Sequence, residues 1–220
     1  MRTRCSYTQM LAVIAQKKTN MNQQQELEQN ISELIDKYLL RTTKLKTKKS
    51  STVDIRIALE KRTGEYISKS RLNEILVSKD RFEIKKEDSL IYDFNIHETD
   101  VSLLRSSKEI LDKLRTGSNY PFKEYTKLRK YRRAIDYKYT FKYRIKLECS
   151  DFFGKQIFSE KFVCEVIARE LGINYSSLID YINFLNLDSW PTIPQELLER
   201  LLEIFNISYE ESITNQNYYR

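Results

Sequence analysis

CEVIARELGINYSSLIDYIN, residues 164–183, is the stretch that decides the fold expected for the end of this 220-residue chain. Ala168 is a small residue of the kind needed where two helices cross closely, and Gly172 supplies the positive φ angle of a tight turn. The spacing therefore predicts two short helices joined at Gly172. Apolar residues on both sides of the turn are expected to share one core: Ile167, Leu171, Ile173, Leu178 and Tyr181.

A further helix is predicted from Pro194, because proline is favoured in the first turn of a helix. This order resembles the repressor-type helix-turn-helix domain of bacterial and phage regulators (lambda-repressor/XRE-like) over about residues 160–213. It departs from that family around residues 151–154, where no helix is predicted before the motif. The resemblance implies that the second helix of the motif lies in the major groove of DNA. It places four residues at the bases: Asn174, Tyr175, Ser176 and Ser177.

Three more helices are predicted in the first half of the chain. Apolar residues recur there at three- and four-residue steps over residues 22–40, 53–62 and about 68–77. Gly64 is expected to end the second of these helices in the left-handed conformation. Serine or threonine at residues 50–52 offers a cap for its start, and Ser68 or Ser70 is expected to open the third helix.

The periodicity then changes to two, which predicts strands at residues 82–84 and 90–94 with a turn at 85–89 between them. The order of elements over residues 25–97 resembles a winged-helix domain, and an unrelated small α+β domain is the alternative. The resemblance implies that the third helix contacts DNA and that the turn forms a wing. The residues expected at that surface are Lys69, Ser70, Arg71 and Asn73, together with Lys85 and Lys86 at the wing tip.

Four segments follow from these patterns. Residues 1–24 are predicted to be a flexible leader, and residues 149–220 to form the helix-turn-helix domain. Residues 98–148 would be a basic, tyrosine-rich connector that contains a helix at about 101–114. Within it, residues 137–147 alternate as a strand would, but their aromatic and aliphatic residues also lie four apart, so strand and helix both remain open.

Charge is distributed unevenly along the chain, whose net charge is +7. Residues 150–220 hold five basic and eleven acidic residues, and residues 105–146 hold fourteen basic and four acidic residues. Because phosphate contacts supply much of the affinity for duplex DNA, the acidic module gains little from them and the basic segment gains most. Phosphate contact is expected from the densest basic cluster: Lys127, Arg129, Lys130, Arg132 and Arg133.

Other classes of function have no support in the sequence. Three cysteines without a C-x-x-C pair and a single histidine, His97, argue against a disulfide framework, a metal site and a catalytic histidine. No phosphate-binding loop, nucleophile elbow or other catalytic motif is present, so neither an enzyme nor a cofactor is expected. No apolar run approaches the roughly 20 residues that span a bilayer. A cytoplasmic, nucleoid-associated protein is therefore expected.

The fold class predicted is mainly α, with a winged-helix-like domain, a helix-turn-helix bundle and a short β hairpin. The function expected is that of a sequence-specific transcriptional regulator, such as a repressor of a bacterium, phage or mobile element. Its partner would be double-stranded DNA, bound by one chain or by a homodimer, and no small-molecule substrate is evident. The alternatives are a non-enzymatic adaptor subunit of a transposition, partition or defence complex and an RNA-binding protein.

Overall fold

The chain folds into helices and one small antiparallel sheet, which confirms the predicted fold class. The computed structural model describes residues 7–44, 49–88, 90–116, 145, 158–184 and 194–206, and only the backbone of residues 7–21, 86, 87, 183, 184 and 195. The helices are α1 (Tyr7–Tyr38), α2 (Thr52–Thr63), α3 (Lys69–Val77), α4 (Glu98–Thr116), α5 (Glu160–Leu171), α6 (Tyr175–Phe184) and α7 (Gln195–Phe205). The strands are β1 (Lys49–Ser51), β2 (Ile84–Asp88) and β3 (Ile91–His97).

Helix α1 starts earlier than the sequence pattern predicts. It begins at Tyr7 and runs without interruption to Tyr38, so the prediction of a flexible leader is wrong for residues 7–24. That segment contains no glycine or proline and is rich in glutamine, which is a good helix former. The apolar periodicity that predicted this helix begins at Leu27, where α1 enters the core.

The three strands form one sheet in the order β1–β3–β2, with both neighbouring pairs antiparallel. Asp88 pairs with Ile91, so the hairpin turns between these two residues and the predicted turn at residues 85–89 is wrong. Strand β2 is mostly polar because it lies at the edge of the sheet, where its described side chains are exposed. Such a strand lacks the alternation of apolar and polar residues on which the prediction relied. The short strand β1 was not predicted.

Helices α2 and α3 have the predicted ends. The Ser51 side chain accepts a hydrogen bond from the backbone N–H of Asp54, and the Asp54 carboxylate reciprocates at the backbone of Ser51, which together form a capping box. Gly64 ends α2 at φ 80° in the left-handed region, as predicted. Ser68 then caps α3 by accepting a hydrogen bond from the N–H of Arg71.

Helices α5 and α6 also have the predicted geometry. Gly172 ends α5 at φ 70°, and Asn174 caps α6 by accepting a hydrogen bond from the N–H of Ser177 at 2.7 Å. Ile167, Leu171 and Leu178 are buried as predicted. Ile173 and Tyr181 are half-buried, and the next residue, Ile182, is buried.

A single hydrophobic core joins the two halves of the chain, and α4 lies at its centre. Helix α4 packs against α2 in the first half and against α5 and α7 in the second. Residues 98–116 therefore belong to the core and not to a connector. Of the tyrosine-rich stretch at 137–147 the structure describes one residue, Ile145, which is helical and buried.

Candidate nucleic-acid interface

Helix α3 is fixed to its neighbours through a buried amide. Asn73 Oδ1 accepts a hydrogen bond from Thr52 Oγ1 at 2.6 Å, and Asn73 Nδ2 donates to the carbonyl of Leu90 at 3.2 Å. Asn73 is 6% exposed, so its side chain is not at the outer surface and the expectation that it faces DNA is wrong. Instead it sets the position of α3 against the start of α2 and the hairpin, because a buried amide needs such partners.

The outer face of α3 carries the other three predicted residues. Lys69 is half-buried and forms no ion pair with a residue that the structure describes, while Ser70 is exposed. The exposed guanidinium of Arg71 donates to Glu28 of α1, with 2.8 Å between Nε and Oε1, and also to Glu74. The hydrogen bonds that Arg71 donates to these carboxylates, first to Glu28, raise the pKa of Arg71. The charge of Arg71 is therefore balanced within the protein.

The two predicted wing lysines lie in strand β2 and not at the hairpin tip, which is a further correction. Lys85 is exposed and paired with Glu83, and residue 86 lies opposite Asp93 on β3. The tip carries apolar side chains: Leu90 is 55% exposed and Ile91 is 40% exposed.

Further cations beside α3 and the hairpin form ion pairs with residues distant in sequence. Lys79 and Arg81 both contact Asp36 of α1, at 2.5 and 2.8 Å, and Lys49 contacts Asp93 at 2.5 Å. The partners are 43 to 45 positions apart, so no local pattern could have revealed them. Most described cations of α1 to β3 are therefore paired with acidic residues of the same chain.

The four predicted residues of the second motif come together at the amino end of α6. Asn174 and Ser176 are exposed, Tyr175 is 36% exposed and Ser177 is half-buried. Asn174 Oδ1 is occupied, because it accepts from the Ser177 N–H and from Ser176 Oγ at 2.8 Å. Helix α6 contains no lysine or arginine, and Asp180 is exposed on it. This surface offers hydrogen-bonding groups but no positive side chain.

Helix α5 is attached to the first half through the buried carboxylate of Asp100. Asp100 is fully buried at the start of α4. Its Oδ2 accepts from the backbone N–H groups of Leu40 and Arg41 at 2.8 and 2.6 Å. Its Oδ1 accepts from Arg41 Nε at 2.6 Å and from Arg169 of α5 at 3.4 Å. Arg41 also contacts Glu165 of α5 at 3.0 Å, so two acids and two arginines join α1, α4 and α5.

Glu170 makes the second attachment of α5. Its carboxylate accepts from Lys37 at 2.6 Å, from Arg62 at 2.8 Å and from the hydroxyl of Tyr38. Burial alone raises the pKa of Glu170, but the hydrogen bonds from Lys37 and Tyr38 and the charge of Arg62 outweigh it, so the pKa lies below its ordinary value. Burial and the charge of Glu170 raise the pKa of Tyr38. Sequence periodicity places Tyr38 on the buried side of α1 but gives no signal for Lys37, Arg62 or Glu170 as its neighbours.

The basic cluster Lys127, Arg129, Lys130, Arg132 and Arg133 lies outside the described residues, and its expected phosphate contact stays a prediction. The described end of α4 leads into it. Lys108 and Arg115 are exposed on α4 and form no ion pair with another described residue. The first part of the basic segment 105–146 therefore places these two cations at the surface.

Two other features are absent from the described part of the chain. It contains no group of three or more histidine, cysteine, aspartate or glutamate side chains that could hold a metal ion. No described helix is long and apolar enough to cross a lipid bilayer. No family model, curated protein or solved structure matches the chain. The resemblances to winged-helix and repressor-type domains therefore remain predictions from the sequence.

Proposed function

We propose that this protein is a sequence-specific regulator of transcription that binds double-stranded DNA, and that it acts as a homodimer at the nucleoid of a bacterial cell. Helix α3 would lie against the bases. The basic segment, residues 105–146, would neutralise phosphates. No catalytic step is part of the proposal.

The observation that carries the proposal is the path of the chain from α1 to β3. Helix, strand, two helices joined by a left-handed glycine, and a hairpin in a β1–β3–β2 sheet follow the order of a winged-helix domain. In helix-turn-helix proteins the second helix of the pair enters the major groove with its amino end foremost. Lys69, Ser70 and Arg71 stand at that end of α3.

The distribution of charge supports different roles for α3 and for the basic segment. Arg71 is paired with Glu28 and Glu74, so α3 brings little net charge and its contribution would be to specificity. The basic segment carries fourteen basic and four acidic residues and would supply the salt-dependent affinity.

The decisive experiment is a selection of bound sequences from a pool of random DNA duplexes with the full chain. Enrichment of a palindromic sequence is expected, because a two-fold symmetric dimer contacts two identical half-sites. The absence of any enriched sequence would contradict the proposal.

A charge variant tests the phosphate contacts on the selected duplex. Replacing Arg129, Lys130, Arg132 and Arg133 with alanine should weaken binding and lower the slope of log K against log salt by about 3 to 4, if each residue neutralises one phosphate. The matched control exchanges arginine and lysine at the same four positions and so keeps the charge. It should retain the salt slope, and an unchanged slope in the alanine variant would remove the phosphate role.

An adaptor subunit of a nucleoprotein complex is the second candidate, and the surface of α6 favours it. This helix has no positive side chain, carries an exposed Asp180 and exposes part of the Tyr175 ring. Such a surface suits contact with protein better than contact with phosphate. Failure of the selection together with recovery of a stoichiometric protein partner would favour this function.

A further inference from the structure

A cavity of about 510 Å³ lies where the end of α1 meets the turn between α5 and α6. We name it the junction cavity, and its lining includes Leu40, Arg41, Ala168, Arg169, Ile173 and Tyr175. Its volume falls within the range of roughly 300–1,000 Å³ that is typical of sites for small ligands. Both halves of the protein contribute to its wall.

One part of the wall is apolar and open to solvent. Leu40 is 50% exposed and Tyr175 is 36% exposed, although both are large side chains. Ile173 is half-buried beside them. Covering such side chains is favourable by about 25 cal/mol for each Å² removed from water, so an apolar group in the cavity would gain free energy.

Another part of the wall carries the guanidinium of Arg169, which is only weakly paired with the neighbouring acidic residues. Arg169 has one hydrogen bond to a described residue, a long contact of 3.4 Å to Asp100. Asp100 is already shared with the Arg41 side chain and with two backbone N–H groups. Burial, first of all, and the repulsion between the Arg41 and Arg169 guanidinium groups lower the pKa of Arg169, although the charges of Asp100 and Glu165 raise it. An added anion would relieve that repulsion.

The other charged residues of the lining already have ion-pair partners. Asp36 is held by Lys79 and Arg81, and Glu165 by Arg41. Lys37 is bonded to Glu170. The guanidinium of Arg169, which has five N–H donors, therefore has the largest unused hydrogen-bonding capacity at the cavity.

We propose that the junction cavity binds a small organic anion, with its carboxylate on Arg169 and its apolar body between Leu40 and Tyr175. Arginine suits this role because its planar guanidinium can bind a carboxylate through two parallel hydrogen bonds. The ligand would touch the end of α1 and the amino end of α6 together. The proposal does not depend on DNA binding, because it concerns a cavity of the protein alone.

Benzoate is the probe, since it combines one carboxylate with one apolar ring. Saturation-transfer NMR and calorimetric titration of the full chain should detect binding with a Kd on the order of millimolar, the range expected for so small a ligand. Benzamide lacks the charge and inorganic phosphate lacks the apolar ring, so each should bind more weakly. Equal binding of benzamide, or no binding of benzoate, would overturn the proposal.

Two variants locate the site. Arg169→Gln should weaken benzoate binding by about ten-fold or more, because a charge-assisted hydrogen bond is lost. Tyr175→Ala should also weaken benzoate binding, because part of the apolar wall is lost. The hydrogen bonds of Asp100 are unchanged in this variant. Lys108→Gln, on an exposed part of α4, is the control and should bind benzoate as the unmodified chain does.

Circular dichroism and thermal unfolding of the same three variants show whether each remains folded. Asp100 keeps three of its hydrogen bonds in Arg169→Gln, so this variant is expected to fold. If Arg169→Gln and Tyr175→Ala both bind benzoate as tightly as the control, the site is elsewhere and the proposal fails.

Discussion

Helices α2 and α3 and helices α5 and α6 are two helix pairs built from the same local devices. Each first helix has twelve residues, starts at a serine cap and ends at a glycine with positive φ. Each second helix starts at a polar side chain that accepts a hydrogen bond from a backbone N–H three residues later. The outward surfaces differ: α3 presents Lys69 and Arg71, whereas α6 has no basic residue.

The difference shows that backbone geometry and surface chemistry are separate properties of a helix pair. The glycine, the caps and the buried apolar residues are sufficient to form the turn in both pairs. None of them determines what the second helix contacts, because that depends on side chains that take no part in folding the turn. The two pairs also share one core. Substitutions where they meet therefore test whether the two pairs unfold together.

The largest effect is expected where the pairs are joined. Asp100→Asn removes the charge that holds Arg41 and Arg169, and breaking one partner of a buried ion pair costs about 3–5 kcal/mol. The free energy of unfolding from urea titration should fall by that amount. Asp112→Asn, the same substitution at an exposed position of α4, should change it by less than about 0.5 kcal/mol. A loss confined to the second half would contradict a shared core.

Glu170 should make stability depend on acidity. Its pKa in the folded protein lies below its ordinary value, so the carboxylate contributes stability above about pH 4.5 and loses it as the pH falls through the folded pKa. Glu170→Gln should lower the free energy of unfolding at pH 7 by about 2–3 kcal/mol, because Lys37 and Arg62 lose the negative charge that they share. It should also flatten the decline of stability below pH 4.5. A variant with the same acid dependence as the unmodified chain would rule out this role.

The two outward surfaces should differ in their effect on DNA. Arg71→Ala is expected to weaken binding to the selected duplex roughly ten-fold and to reduce discrimination against altered sites. Asp180→Lys on α6 should change the affinity by less than about two-fold if that helix does not face phosphates. Fluorescence anisotropy with a labelled duplex measures both. A marked gain of affinity in Asp180→Lys would place α6 at the DNA instead.

The smallest loss of stability is expected from replacing the turn glycines, and it should be the same in both helix pairs. No atom lies within 4 Å of a Cβ added at Gly64 or Gly172, so alanine at either position is opposed only by the positive φ angle. Each substitution should cost about 1–2 kcal/mol in the free energy of unfolding, measured by urea titration. Unequal losses at Gly64 and Gly172 would show that the two turns are not equivalent.

The helix caps and the turn glycines were the part of the structure that the sequence could predict. Gly64, Gly172 and the cap at Ser68 act on neighbours within a few residues, so their meaning is visible in a short window. The ion pairs were not predictable, because Asp100 and Glu170 find their partners 59 to 133 positions away. Asn73 was misassigned for the same reason: its partners Thr52 and Leu90 determine that it is buried.

The central place of α4 has a consequence for the order in which the chain is made. Helix α4 is complete at Thr116, but α5 and α7, which cover one side of it, end only at Leu171 and Phe205. At about 5–20 residues per second, the ribosome needs on the order of 5–20 s to synthesise the intervening chain. During that time the nascent first half exposes an apolar side of α4 to solvent, and a chaperone that binds emerging chains would bind there.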